Sequence, residues 1–418
     1  MRTAILLSEE LPMNCYAKGN ILLLRPEGRI DANNAPNVES EIFGCINRNS
    51  PKYVVIDAEK LEYISSAGLR VVLKVKKAVN GTQIVNASPE VYEIFDMTGF
   101  TDMINITKAF RKISVEDCPV EGKSLYGTTY KLNSDTIVKL YNSEVPFDDI
   151  IREKENAKAA FICGVPTAIP FDTVRCGDRY GTVYELIDAV TLADVINHKP
   201  DGFSFAAEKA VEVLKLLSSI HYDGDKLEKY IDISRRNAET LNNAFDGRLF
   251  TADEMNLIYK LYGKIPERDT IVHGNFHTRN AYVQNGELVL INMIETGVGH
   301  PIYEFANMYL PFIYLVHKSR EDVAALVGID HYTAADFFAE IVRRYFKDFS
   351  EEDYLQLKDV MQVLSHIKLM SSSLPAFSEM ESEKRTEYLL KMKERLNEIY
   401  FSRADEVLAL TEKVTAKF

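Results

Sequence analysis

The chain has 418 residues, long enough for two or three domains with sizeable cores. Forty-nine basic against 62 acidic residues leave a formal charge of −13, which argues against non-specific binding to nucleic acid or to an anionic membrane face. Five cysteines (Cys15, Cys45, Cys118, Cys163 and Cys176) form no CxxC pair and read as reduced, mostly buried thiols, neither a disulfide framework nor a zinc site. The short apolar run AILL near the start is flanked by charge and is too short for a signal h-region. No stretch approaches the roughly 18 apolar residues of a membrane span, and a cytoplasmic location is expected.

From about Asn14 to Asn105, short strands alternate with helices. NILLLRPEG reads as a strand, and DANNAPNVESEI enters a helix. KYVVIDA is a nearly continuous apolar strand of the buried kind. In SAGLRVVLKVKKAV, helical spacing places Leu69, Val72, Leu73 and Val79 on one face. Asn80-Gly81 ends that helix, TQIVNA is a further strand, and Pro89 opens the helix PEVYEIFDMT. Such an order implies a small sheet covered by helices. Ser65 and Ser66 stand where the buried strand and its loop lead into a helix. A serine there caps orphan N–H groups, and the same groups with the helix dipole favour a phosphate.

The segments GRIDANNAP, VVIDAEKLEYISSAGLR and VNASPEVYEIFDMTGF, in that order, resemble the STAS domain of bacterial anti-sigma factor antagonists. The resemblance implies that Ser66 is a regulatory phosphorylation site, that Gly68 matches the family glycine, and that a protein partner binds here. That partner would be an anti-sigma factor or a kinase-like regulator. Ser65 and Ala67 depart from the family's flanking aspartate and Ser/Thr.

A short seam at RKISVEDCPVE separates this domain, 1–112, from the remainder, 113–418. EGKSLYGTTYKLNSDTIVKLY then offers Gly122, Ser124 and Gly127 around a turn, with Lys139 on the following strand. Small residues let backbone N–H groups approach phosphates, and a lysine on the next strand supplies a point charge. The helix IIREKENAKAAF carries Glu153 and Glu155, either of which could hold that lysine. Two further strands reach a connector at Glu185 to Asp188, and helical periodicity dominates from Ser204 onward. A hairpin at Asn285-Gly286 interrupts it, and a charged helical stretch runs from Ser378 to Phe418.

Taken with HGNFHTRN and LVLINMIETGVGHPIYEFA, these segments are similar to the aminoglycoside phosphotransferase and choline kinase branch of the protein-kinase-like fold. The expected fold is therefore an α/β STAS domain followed by an α+β two-lobed kinase-like domain, with an N-lobe at about 113–187 and a helical C-lobe at about 188–418. The resemblance implies an ATP site built from Gly122, Ser124, Gly127, Lys139, Glu153, Glu185 and Ile187. It places Asn275 at the catalytic aspartate position, Asn280 and Asn292 at the metal positions, and makes His273 and His277 structural.

Two of those positions carry amides where the family carries acids. An amide does not take a hydroxyl proton, and loss of such a base costs about 10²–10⁴-fold. Mg²⁺ also prefers carboxylate oxygens, so ATP and Mg are expected to bind weakly. Glu295, three residues beyond Asn292, is a candidate substitute ligand. The reading favoured is a signalling protein with a degenerate kinase domain that binds a nucleotide or small molecule. An active ATP-dependent small-molecule phosphotransferase is the alternative, and phosphorylation of Ser66 by the second domain is a third reading.

Overall fold

In the computed structural model the described residues are 13–124, 126–245, 247–314, 320–372 and 382–418. The AILL run, Leu125 and the first residues of the stretch that begins at Ser378 lie outside them. The chain divides into two compact units, 1–113 and 114–418.

The first unit is an α/β fold. Its main sheet runs Asn14–Lys18, Ile21–Arg25, Tyr53–Asp57, Gly81–Ala87, Asn105–Lys108. The first pair is antiparallel and the others are parallel. Leu22, Leu24, Val54, Ile56 and Ile84 are buried from the strands, and helices Ala35–Asn49, Ser66–Ala78 and Pro89–Met97 supply Val38, Ile42, Val72, Val75 and Phe95. Leu73, expected on the buried face of the second helix, is half-buried, and Val71 and Val75 take the inner positions with Leu69 and Val72.

That helix starts where the serines suggest. Ser65 is extended and accepts from the Gly68 amide at 3.4 Å, so it is the cap, while Ser66 is the exposed first residue of the helix. Gly68 is required by packing. A Cβ there would lie 2.7 Å from side-chain carbons of both Ile30 and Ile64.

In the second unit antiparallel strands follow in the order Pro170–Cys176, Arg179–Glu185, Thr136–Tyr141, Gly127–Lys131, Val120–Ser124. Helix Phe147–Ile162 leads from Thr136–Tyr141 back to this sheet. Beyond the connector the structure is mainly helical, with the hairpin Ala281–Gln284/Glu287–Leu290 turning at Asn285 and Gly286, both at positive φ. The charged C-terminal stretch forms helices Ser382–Ile399 and Ala404–Thr415. It buries Leu389, Met392, Leu396 and Val414, so it is part of the core as well as a solvated face.

All five cysteines are free, but Cys45 alone is buried and the other four are half-buried. Their positions on the edge strand (Cys15), in a loop (Cys118), at a helix C-cap (Cys163) and at a strand end (Cys176) account for the difference from the expected burial. No helix among the described residues is long and apolar enough to cross a membrane.

Candidate functional site

Lys139 lies inside the strand Thr136–Tyr141, two residues short of its end, opposite Thr129 and Thr182 in the flanking strands. Its ammonium donates to both carboxylate oxygens of Glu153, at 2.7 and 2.9 Å, and Tyr141 donates to the same carboxylate at 3.0 Å. Glu153 is buried at the first turns of helix Phe147–Ile162, whereas Glu155 is half-buried and takes no part in this pair. Burial and the adjacent Glu153 charge push the Tyr141 phenol far above its ordinary range, so it remains a donor.

The third contact of Lys139 is the Asn292 side-chain oxygen, at 2.8 Å. Asn292 in turn donates through Nδ2 to the Asn280 side-chain oxygen at 2.5 Å, and Asn280 donates through Nδ2 to the Asn275 carbonyl at 2.9 Å. Both ends of this chain fix its direction. A backbone carbonyl accepts at one end and an ammonium donates at the other, so each amide has one orientation open to it. Asn292 has a left-handed backbone with φ 64°, a conformation that asparagine tolerates better than most residues.

The HGN segment is braced from beneath. His273 is fully buried, with Nε2 donating to the Ile291 carbonyl at 3.0 Å and Nδ1 accepting from the Asn275 amide at 3.3 Å. Burial lowers His273 from the usual imidazole range to about 4 and His277 to about 3, so both are neutral structural groups. Gly274 has φ 81° and no room for a side chain, since a Cβ would lie 2.6 Å from the Glu295 carbonyl oxygen. Its amide donates to the Glu304 carboxylate at 3.0 Å. The other Glu304 oxygen is buried without a partner among the described residues, and burial raises this acid above the normal carboxylate range.

Glu295, considered as a substitute ligand beside Asn292, is already paired. Its carboxylate is bound by Lys368, which also donates to the Gly274 carbonyl at 2.9 Å. A small cavity beside this segment is lined by Tyr230, Ser234, Asn237, Asn307, Lys368 and Ser371, and among the described residues no carboxylate contributes to its lining.

The turn expected to cradle phosphates is a tight hairpin, with Ser124 opposite Gly127. The Ser124 hydroxyl donates to the Gly127 carbonyl and accepts from the Tyr126 amide, both at 3.3 Å. Gly127 owes its identity to packing, because a Cβ would come within 2.3 Å of the Leu140 carbonyl oxygen. Gly122 lies within a strand and faces open space. In the connector, Glu185 donates through its amide to Ile169 at 3.1 Å, and the Ile187 carbonyl accepts from Ala189 at 3.0 Å. Among the described residues the Ile187 amide meets no acceptor.

The structure therefore joins Lys139, Glu153, Asn292, Asn280 and Asn275 into one connected set. Sequence reasoning missed Glu304 and Lys368. Glu304 lies in the quoted stretch GHPIYEFA, where an acid among buried apolar residues was an available signal. Lys368 lies in an amphipathic helix with nothing to distinguish it from a surface lysine.

These features define an α/β STAS-like unit followed by a two-lobed kinase-like phosphotransferase fold. The STAS domain family model matches residues 13–113, and that of the phosphotransferase enzyme family matches residues 122–358. The chain belongs to the phosphotransferase enzyme family and carries a STAS domain ahead of that fold. Its first unit is similar to a protein named as an anti-sigma factor antagonist, BtrV, from Bordetella bronchiseptica. The two are 33% identical over 87 residues, 20% of this chain and 74% of that protein. Among solved structures, ADP-bound aminoglycoside phosphotransferase APH(2'')-Ib is 16% identical. That alignment covers 73% of this chain and 98% of the other, with a TM-score of 0.46. A choline/ethanolamine kinase family protein from Mesorhizobium loti is 12% identical over 71% of this chain and 92% of its own, with a TM-score of 0.43.

Proposed function

We propose that this chain is a bacterial, cytoplasmic signalling protein. In this reading the STAS unit engages an anti-sigma factor or a kinase-like regulator, and the phosphotransferase fold is a degenerate module that senses nucleotide. The observation that carries the reading is the amide chain from Lys139 to the Asn275 carbonyl. Lys139, Glu153, the hairpin from Gly122 to Gly127 and the connector at Glu185 and Ile187 are assigned to holding the nucleotide. Asn275 stands where a general base is needed, and its amide cannot accept the acceptor's proton. Asn280 and Asn292 stand at the metal positions with their oxygens committed to hydrogen bonds.

Ser66 is assigned as the site of phosphorylation on the STAS unit. It is exposed at a helix start, and Arg70, one turn on, already donates to its carbonyl at 3.1 Å, which brings a guanidinium close.

Restoring the acids tests the reading. Asn275→Asp combined with Asn292→Asp should raise ADP release from ATP, with Mg²⁺ or Mn²⁺ and an acceptor panel, by about 10²-fold or more. Each single change should give less, since base and metal ligand act on one transition state. An unmodified protein that already turns over at about 1–100 s⁻¹ would establish the active phosphotransferase instead.

A further inference from the structure

The residues present do not fit a resident divalent cation. A hard cation needs oxygen donors with free lone pairs, preferably carboxylates. The Asn292 oxygen is taken by Lys139, the Asn280 oxygen by Asn292, and the Glu153 oxygens by Lys139 and Tyr141. Among the described residues no cluster of three or more His, Cys, Asp or Glu is placed to hold a metal. The direction of the amide chain adds to this. Asn292 offers Asn280 a donor where an aspartate would offer an acceptor, so one of the two lone pairs on the Asn280 oxygen is already engaged and no anionic oxygen stands beside it.

The same substitutions change the charge of the site. Lys139 and Glu153 cancel. Aspartates at 275 and 292 would leave two uncompensated negative charges, and a divalent cation brings two positive ones. Replacing both acids by amides therefore does for an approaching polyphosphate what the cation otherwise does. It removes the repulsion, leaving Lys139 and backbone N–H groups to face the phosphates.

We propose that this site takes a nucleoside di- or triphosphate as the free anion, without a divalent cation. The inference rests on the nucleotide reading above and adds the form in which the nucleotide binds. A phosphate oxygen would share the Lys139 ammonium in place of, or beside, the Asn292 oxygen. No bond is made or broken.

The test is calorimetric titration of the full-length protein with ATP and with ADP, once in EDTA and once in excess Mg²⁺. Each nucleotide should bind more tightly in EDTA than in excess Mg²⁺, because the cation withdraws the free anion into its own complex. Lys139→Ala should weaken binding about tenfold or more, and Asn292→Asp should weaken it similarly in EDTA while regaining it with Mg²⁺. Binding to the unmodified protein that is about tenfold or more tighter with Mg²⁺ would overturn the inference and leave the nucleotide reading intact. Absence of binding in both buffers would overturn the nucleotide reading itself. The comparison of buffers uses only the unmodified chain, so it holds even where a variant fails to fold.

Discussion

In the first unit the candidate segment is an exposed serine on the opening turn of a helix, capped by its neighbour and open to solvent. In the second, the HGN segment begins at a buried histidine and is held by a buried glutamate and by a lysine that reaches its backbone. The first arrangement leaves the Ser66 side chain accessible at a helix N-terminus, where negative charge is favoured. The second suits a site whose shape is fixed beforehand, where a ligand exchanges one hydrogen bond for another. The imidazoles follow the same division. All eight histidines of the chain lie in the second unit, and the first has none.

Acid should therefore separate the units more sharply than any single substitution. His273, His277 and His300 are held neutral by burial, with values lowered to about 4, 3 and 4. Unfolded imidazoles take up protons below about 6.5, so the stability these groups contribute is full above that pH. It is lost progressively as pH falls towards 4, at up to about 3 kcal/mol for each. Glu304 has the opposite sign. Its raised value contributes stability below the normal carboxylate range and loses it as pH rises, and so partly offsets the trend. Protease digestion with fragment masses from pH 7.5 to pH 4.5 should cut the second unit first. Simultaneous loss of both units would break the comparison.

Glu153→Ala should have the next largest effect. It leaves the Lys139 ammonium, with 12% of its side chain exposed, beside no carboxylate, and it strips Tyr141 of its acceptor. A loss of about 3–5 kcal/mol is expected in urea unfolding of the second unit. A change confined to nucleotide affinity would mean that the pair serves binding and not the fold.

The smallest effect sharpens the contrast between the two serines. Ser65→Ala should cost the first unit about 0.5–1 kcal/mol, since the cap bond is long at 3.4 Å. Ser66→Asp should cost nothing, because a negative charge on the first turn is favoured. If Ser66→Asp destabilised the unit as much as Ser65→Ala does, the roles given to the two serines would have to be exchanged.

Much of this was legible in the residues. Apolar period marked the strands around Val54 and Ile84, and Asn285-Gly286 marked its hairpin, because those signals are local. Lys139 and Glu153 were readable as a pair through their order along the chain. The edge strand Asn14–Lys18 was not picked out as a strand of its own. Four of its five residues are exposed, so no alternation marks it. Gly127 was read for a ligand, and a further demand on it, the Leu140 backbone that a Cβ would strike, is not visible in the sequence. Lys368 lies 94 residues from the carbonyl it holds, and tertiary packing alone brings them together.

One buried side chain sets the mechanics of the second unit. Asn156, one turn beyond Glu153 on the same helix, donates through Nδ2 to the carbonyls of Met293, Ile294 and Thr296, at 3.0 to 3.3 Å. That turn immediately follows Asn292, so the helix is bolted to the segment whose amide meets Lys139. An outward swing of the helix would have to shear all three bonds and the lysine's grip together, leaving buried carbonyls unanswered. Helix, lysine and amide segment are thus tied into one unit by four side-chain hydrogen bonds.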